Sequence, residues 1–244
     1  MIVKTEAIVL KSFDLRETSR LVTFYTREFG KIKGVLKGIR KDFKKFGSSV
    51  EKFSVNDIVF YQHRNSDIHL VSQCDMKEYY FPIRQDIKRM TAASYILELV
   101  DAIMPAEQKN EDIYELILQY LSSLQNTQDV SKLVHIFQIK TLLYSGFRPH
   151  LDACVRCEKK VKGQTRFSMI LGGLVCDICR QLQGDAALIS RGTVASIIHI
   201  EKNEWGKSLQ LGLSATIKRE LKYVLNNFLV FHLEKNLRSA RFVQ

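Results

Sequence analysis

Residues 30–46 read GKIKGVLKGIRKDFKKF. Along their first half the residues alternate. Lys31, Lys33 and Lys37 fall on one side of a two-residue period, Ile32 and Leu36 on the other, with Gly34 and Gly38 between them. In an extended chain successive side chains point to opposite faces, so this pattern describes a strand anchored by its aliphatic side and cationic on the other. Arg40, Lys41, Lys44 and Lys45 carry the charge on into a loop, interleaved with Phe43 and Phe46. Between positions 31 and 45 there are seven basic residues and one acid.

The segments on either side of this strand share its character. Short runs rich in β-branched and aromatic residues cover 3–10, 20–27, 31–39, 58–63 and 68–74. Five short strands with no competing helical pattern predict a small closed barrel. After Pro82 the period lengthens. Met90, Ala93, Leu97, Val100 and Met104 recur at steps of three and four. So do Ile113, Leu116, Ile117, Tyr120, Leu121 and Leu124, and then Leu133, Ile136, Phe137 and the pair Leu142–Leu143, closed by Gly146 and Pro149. These are the core stripes of helices. Val194, Ile197 and Ile198 mark a shorter one. Ser214 is placed to cap a long one with Ile217, Leu221, Val224, Phe228 and Phe231 on its stripe. Trp205 reads as part of a polar loop, and Cys74, inside a strand, as a small buried hydrophobe.

Between the helical stretches lies Cys154-x2-Cys157-x18-Cys176-x2-Cys179. Two residues between paired cysteines let both sulfurs reach one tetrahedral ion, and the longer spacing fits a short hairpin turned at Gly163 and at Gly172-Gly173. Four thiolates fill the shell and leave no position for water, so one structural Zn2+ is the expectation. The competing readings are a reactive redox pair and four unliganded thiols. His199-Ile200-Glu201 matches a deaminase H-x-E pattern, but it follows the cysteines instead of preceding them, so His199 reads as an ordinary helix residue.

The chain has 244 residues, 45% of them hydrophobic, and a net charge of +11. That supports a sizeable core and an anionic partner, nucleic acid first and an acidic membrane second. No apolar run reaches the roughly 18 residues of a membrane span, and no secretion signal is visible at the start. The expected setting is therefore cytoplasmic and reducing. A P-loop, HExxH, G-x-S-x-G or EF-hand pattern is absent, as are the clustered carboxylates of a two-metal nuclease, so no catalytic residue is expected. Residues 1–45 hold 12 basic and 5 acidic residues, a net of +7, which places the densest positive field at the barrel. The candidate nucleic-acid contacts are Lys31, Lys33, Lys37, Arg40, Lys41, Lys44 and Lys45, with Arg16 and Arg20 as weaker candidates from a neighbouring turn. Phe43 and Phe46 are candidates for base stacking. The plainer alternative is a solvated edge strand whose lysines discourage aggregation. Two rival functions remain: an RNA-binding barrel protein of translation or RNA processing, and a zinc-dependent nucleic-acid-modifying enzyme.

Residues 7–41, AIVLKSFDLRETSRLVTFYTREFGKIKGVLKGIRK, resemble the start of the RecO recombination mediators. So do GFRPHLDACVRC at 146–157, the following Phe167-Ser168, and GGLVCDIC at 172–179. Two departures are Lys52, where members often carry proline, and Glu158, where they often carry glycine. The resemblance implies an α+β multidomain protein. An N-terminal OB-fold barrel over 1–80 precedes a mostly helical domain over 81–244, which contains a four-cysteine zinc ribbon at 150–184. It implies a non-enzymatic protein, nucleoid-associated, that binds single- and double-stranded DNA and anneals complementary strands. With RecR it would help load RecA onto strands coated by single-strand-binding protein (SSB), whose acidic C-terminal tail the helical half would receive. Lys218, Arg219 and Lys222 offer cations there.

Overall fold

The computed structural model describes residues 1–15, 17–39, 50–63, 66–162, 164–179 and 186–242. The chain forms two compact units, Met1–Asn126 and Thr127–Gln244.

The first unit begins with five strands: β1 (Ile2–Leu15), β2 (Ser19–Thr26), β3 (Gly30–Leu36), β4 (Val55–Tyr61) and β5 (Ile68–Glu78). They close into a barrel in the order β1-β2-β3-β5-β4 and back to β1. Every pairing is antiparallel except β3 with β5, the arrangement of an OB-like barrel. The alternation of the sequence is realised directly. Val9, Val22, Phe24, Ile32, Leu36, Ile58, Phe60, Val71 and Cys74 fill the interior. Gly34 faces inward too, where a Cβ would stand 2.5 Å from Val71 Cγ2, so the core has no room for a larger residue.

Three helices complete the unit: α1 (Phe81–Arg84), α2 (Ile87–Ile103) and α3 (Glu111–Leu124). Pro82 lies in the first turn of α1, where its missing N–H is no loss. Asp86 caps α2 by accepting from the Lys88 and Arg89 N–H groups, and Asn110 caps α3 through the Ile113 N–H. The segment after α2 runs along β3. The Glu107 N–H donates to the Lys31 carbonyl at 2.9 Å, and Ala106 bridges Lys31. The approach is so close that a Cβ on Gly30, whose φ is +63°, would fall 2.0 Å from the Gln108 carbonyl oxygen. At α3, Arg27 reaches Glu6, Glu111 and Glu115 and lies over the Tyr114 ring. Burial opposes ionisation of Glu6, but hydrogen bonds from Lys77, Arg27 and Tyr114 outweigh it and hold the carboxyl below its ordinary value.

The second unit is built around α4 (Val130–Tyr144), in which every residue from Leu133 to Leu142 is buried. A helix covered on all sides is the centre of a bundle. It is surrounded by α5 (Arg191–Lys202), α6 (Trp205–Gln210) and α7 (Ala215–Leu233). Lys140 is only 3% exposed, and its ammonium donates to the carbonyls of Glu201 and Asn203 at the end of α5. Lys132 does the same for Leu209 of α6 at 2.8 Å. Two lysines of one helix thus satisfy the orphan carbonyls of two others. Trp205 starts a helix instead of lying in a loop: the Ser208 hydroxyl and N–H both close on the Glu204 carbonyl. Ser214 caps α7 through the Ile217 N–H. Its buried stripe is Leu221, Val224, Leu225, Phe228 and Leu229, while Phe231 turns outward at 45% exposure.

Candidate metal centre and nucleic-acid interface

The cysteine segment folds as a small ribbon. β6 (Thr165–Ser168) pairs on one side with β7 (Gly173–Val175) and on the other with β8 (Ala187–Ile189). The third strand lies beyond the stretch that the cysteine spacing delimits. The two knuckles are tied together by backbone hydrogen bonds. His150 N–H donates to Gly172, Leu174 N–H to His150, and Val155 N–H to Leu174, at 2.8, 2.9 and 2.9 Å. Gly173 sits where a Cβ would meet His150 O and Val155 Cγ1, each at 2.5 Å. Glu158, following the second cysteine, has φ of +57°, the left-handed backbone that glycine adopts most cheaply.

This framework gathers Cys154, Cys157, Cys176 and Cys179, with all four Sγ atoms within 4.8 Å of one another. Cys157 and Cys176 sulfurs are 3.8 Å apart. Sulfurs about 2.3 Å from a common ion in a tetrahedron stand about 3.8 Å apart, so the donors fit one ion. The Cys176 N–H donates to Cys154 Sγ at 3.4 Å. Burial disfavours the Cys154 thiolate, but N–H groups of Cys176, Cys157 and Arg156 overcome it and bring the thiol down to about 6. Hydrogen bonding to Cys176 leads the contacts that push Cys179 the other way, up to about 12. Thiolates so close repel one another, and a divalent cation among them is what allows all four to ionise. Among the described residues this is the one cluster of its kind.

On the barrel, the cationic face of β3 is divided. Lys33 is exposed on β3, and Lys37, expected on the same strand, is exposed in the turn beyond Leu36, where the strand has already ended. Lys31 is half-buried: its ammonium donates to the Asp101 carbonyl oxygen and stands 3.6 Å from the Asp101 carboxylate, which also takes Lys11. Burial lowers the Lys31 pKa despite that carboxylate. Arg20 lies between Asp14 at 3.1 Å and Glu51 at 3.4 Å. Arg16, Arg40, Lys41, Phe43, Lys44, Lys45 and Phe46 lie outside the described residues. Asp101 is the partner that sequence reasoning missed, because nothing in its helical surroundings signals a contact with strands that far back in the chain.

Barrel, helices and a four-thiol ribbon define a protein with an OB-like module and a metal-ligand cluster on separate parts of one chain. Family models give the class its identity. "Recombination protein O N terminal" matches residues 1–80 and "Recombination protein O C terminal" matches residues 84–241. The chain belongs to the RecO family. A DNA repair protein RecO of Moorella thermoacetica is 33% identical over 242 residues, covering 98% of this chain and 90% of the relative. Those of Desulforamulus reducens and a Thermoanaerobacter species are 31% and 30% identical, over 99% of this chain and 94% and 97% of theirs. Family membership carries a role in recombination and DNA repair. The family is one of repair mediators and not a known enzyme family. Among the described residues no helix is long and apolar enough to cross a membrane.

Proposed function

We propose that this protein binds single- and double-stranded DNA through its barrel and anneals complementary strands without catalysing a covalent step. With RecR, it would help load RecA onto SSB-coated single strands. The observation that supports this most is the exposed pair Lys33, on β3 of an OB-like barrel, and Lys37, in the turn that follows it, in a chain of the RecO family. The rationale for annealing is electrostatic. Two phosphate chains repel, and a surface that neutralises both lets base pairing proceed without a nucleotide cofactor. The proposed contacts are Lys33 and Lys37, with Lys31, Arg20, Arg16, Arg40, Lys41, Lys44 and Lys45 beside them and Phe43 and Phe46 as stacking groups. The second unit holds one Zn2+ through Cys154, Cys157, Cys176 and Cys179. With four protein ligands its contribution is to folding. The SSB tail belongs to the helical part, and the setting is the cytoplasm, at the nucleoid. A strand-annealing assay on SSB-coated DNA, with and without RecR, tests the reading. The expected outcome is annealing that SSB does not abolish. Failure to pair strands whether SSB and RecR are present or absent would overturn it.

A further inference from the structure

Beside β3 the first unit has a pocket of about 500 Å3. Its floor is Thr23 of β2 with Lys31 and Lys33 of β3. The edge of β3 away from β2 contributes His63, Ser66 and Asp67 beside β5, and Ala106 and Glu107 from the segment after α2. Some of these groups are committed. Lys31 is held by Asp101. Glu107, at φ +56°, faces Nε2 of the buried His69 at 3.2 Å, while Nδ1 of that ring accepts from the His63 N–H at 3.3 Å. With Nδ1 accepting, Nε2 carries the proton and donates to Glu107, so this edge is braced from beneath. A left-handed non-glycine residue at the rim of a cavity is the kind of local strain that ligand clamps retain.

The other groups are uncommitted. Among the described residues, the side chains of Thr23, Lys33, His63 and Asp67 have no hydrogen-bond or ion-pair partner. The parallel register pairs Lys33 with Ile68, which sets Asp67 one residue from the ammonium's strand position. A cation and a hydroxyl therefore line one side, and an acceptor-only carboxylate and an imidazole ring the other. Lys33 and Thr23 suit a phosphate; His63 offers a stacking face; Asp67 can accept from an amino group and repels a carbonyl oxygen. A base must leave its stack to enter such a recess.

We infer that this pocket receives one unstacked nucleotide of a bound single strand and favours a base with an exocyclic amine, selected by Asp67. The inference rests on the proposed DNA binding of the barrel. It is tested with the full-length protein and equal-length homo-oligomers of deoxycytidine and deoxyuridine, which differ at the ring position where an amine replaces a carbonyl. Fluorescence anisotropy should give about twofold to tenfold tighter binding of the cytidine strand, the worth of one hydrogen bond. Asp67→Asn should close that gap by raising uridine affinity, since the amide can donate to the carbonyl. Lys33→Gln should weaken both strands. Equal affinities in the parent, a preference that survives Asp67→Asn, or Lys33→Gln binding like the parent would overturn the pocket while leaving DNA binding standing. Absence of binding to either strand would overturn both.

Discussion

Gly173 and Glu158 show how single residues shape the metal ribbon. Gly173 is a steric requirement: the neighbouring His150 carbonyl and Val155 methyl group leave no place for a Cβ. Gly173→Ala should lower stability by about 1–3 kcal/mol, the usual cost of overpacking, and weaken metal binding by the four cysteines with it. Gly206→Ala, with nothing within 4 Å of the added carbon and a helix around it, should be neutral or slightly stabilising. Thermal melts and metal analysis of the two variants check this, and equal losses would contradict it. Glu158 is the converse case, a side chain where the knuckle's backbone is left-handed. The turn at Gly172 was legible, while Gly173, read with it as a turn, opens β7. The backbone demand at 158 was not legible, because the residue there is not the one the conformation favours.

Among the elements, α4 is decided by its ends and by what it supports. Its N-cap Asp129 accepts from the Lys132 N–H at 3.0 Å and pairs with Lys218 of α7 at 2.5 Å. Burial raises the carboxyl's pKa, but Lys218 leads the contacts that reverse this, and the net value lies below the ordinary one. A carboxyl with a folded pKa below its unfolded value contributes stability that is fully present above the unfolded value, about 4. That contribution is lost as pH falls through the folded value. Asp129→Asn, which keeps a capping oxygen but removes the charge, should therefore destabilise at neutral pH, and the difference from the parent should shrink as pH drops below about 4. Melts across that range check the sign. Lys140→Met should cost about 1–3 kcal/mol, because the carbonyls of Glu201 and Asn203 lose their buried donor. A denaturant titration in which the variant matched the parent would show that water replaces the ammonium there.

For the molecule as a whole, the two expectations concern charge and metal. If DNA is held mainly through phosphates, log affinity falls linearly with log salt, by about 0.7 per contact on single strands. Replacing Lys33 and Lys37 together by Gln should flatten that slope by up to about 1.4 while leaving the melting temperature near the parent's, since both side chains are exposed. An unchanged slope would remove them from the interface. If the ribbon holds the proposed zinc, a chelator under reducing conditions should lower the melting temperature, with recovery on adding Zn2+. Metal affinity should weaken as pH falls, because protons compete for the same four sulfurs. A melt indifferent to chelation would show that the ribbon stands on its hydrogen bonds alone. The barrel closes at Glu78, yet the first compact unit runs to Asn126, because α2, the segment after it and α3 are bound to the strands through Asp101, Glu107, and Glu111 with Glu115.

What the sequence by itself determined is what repeats or is closely spaced. The two-residue alternation of β3, the three-to-four-residue stripes of α2, α3 and α4, and the paired cysteines each encode a local geometry that any packing must respect. What only the tertiary structure decided is which charges are already spoken for. Lys31 and Lys33 are equivalent in the alternation, yet Lys31 is held by Asp101 seventy residues later, while Lys33 stands open. Lys140 lies within an apolar stripe, and its place inside the bundle follows from helix ends about sixty residues on, at Glu201 and Asn203. Periodicity reports which face of an element is apolar. It carries no information about a partner brought close by folding, and on this barrel that partner decides which cation is left for a ligand.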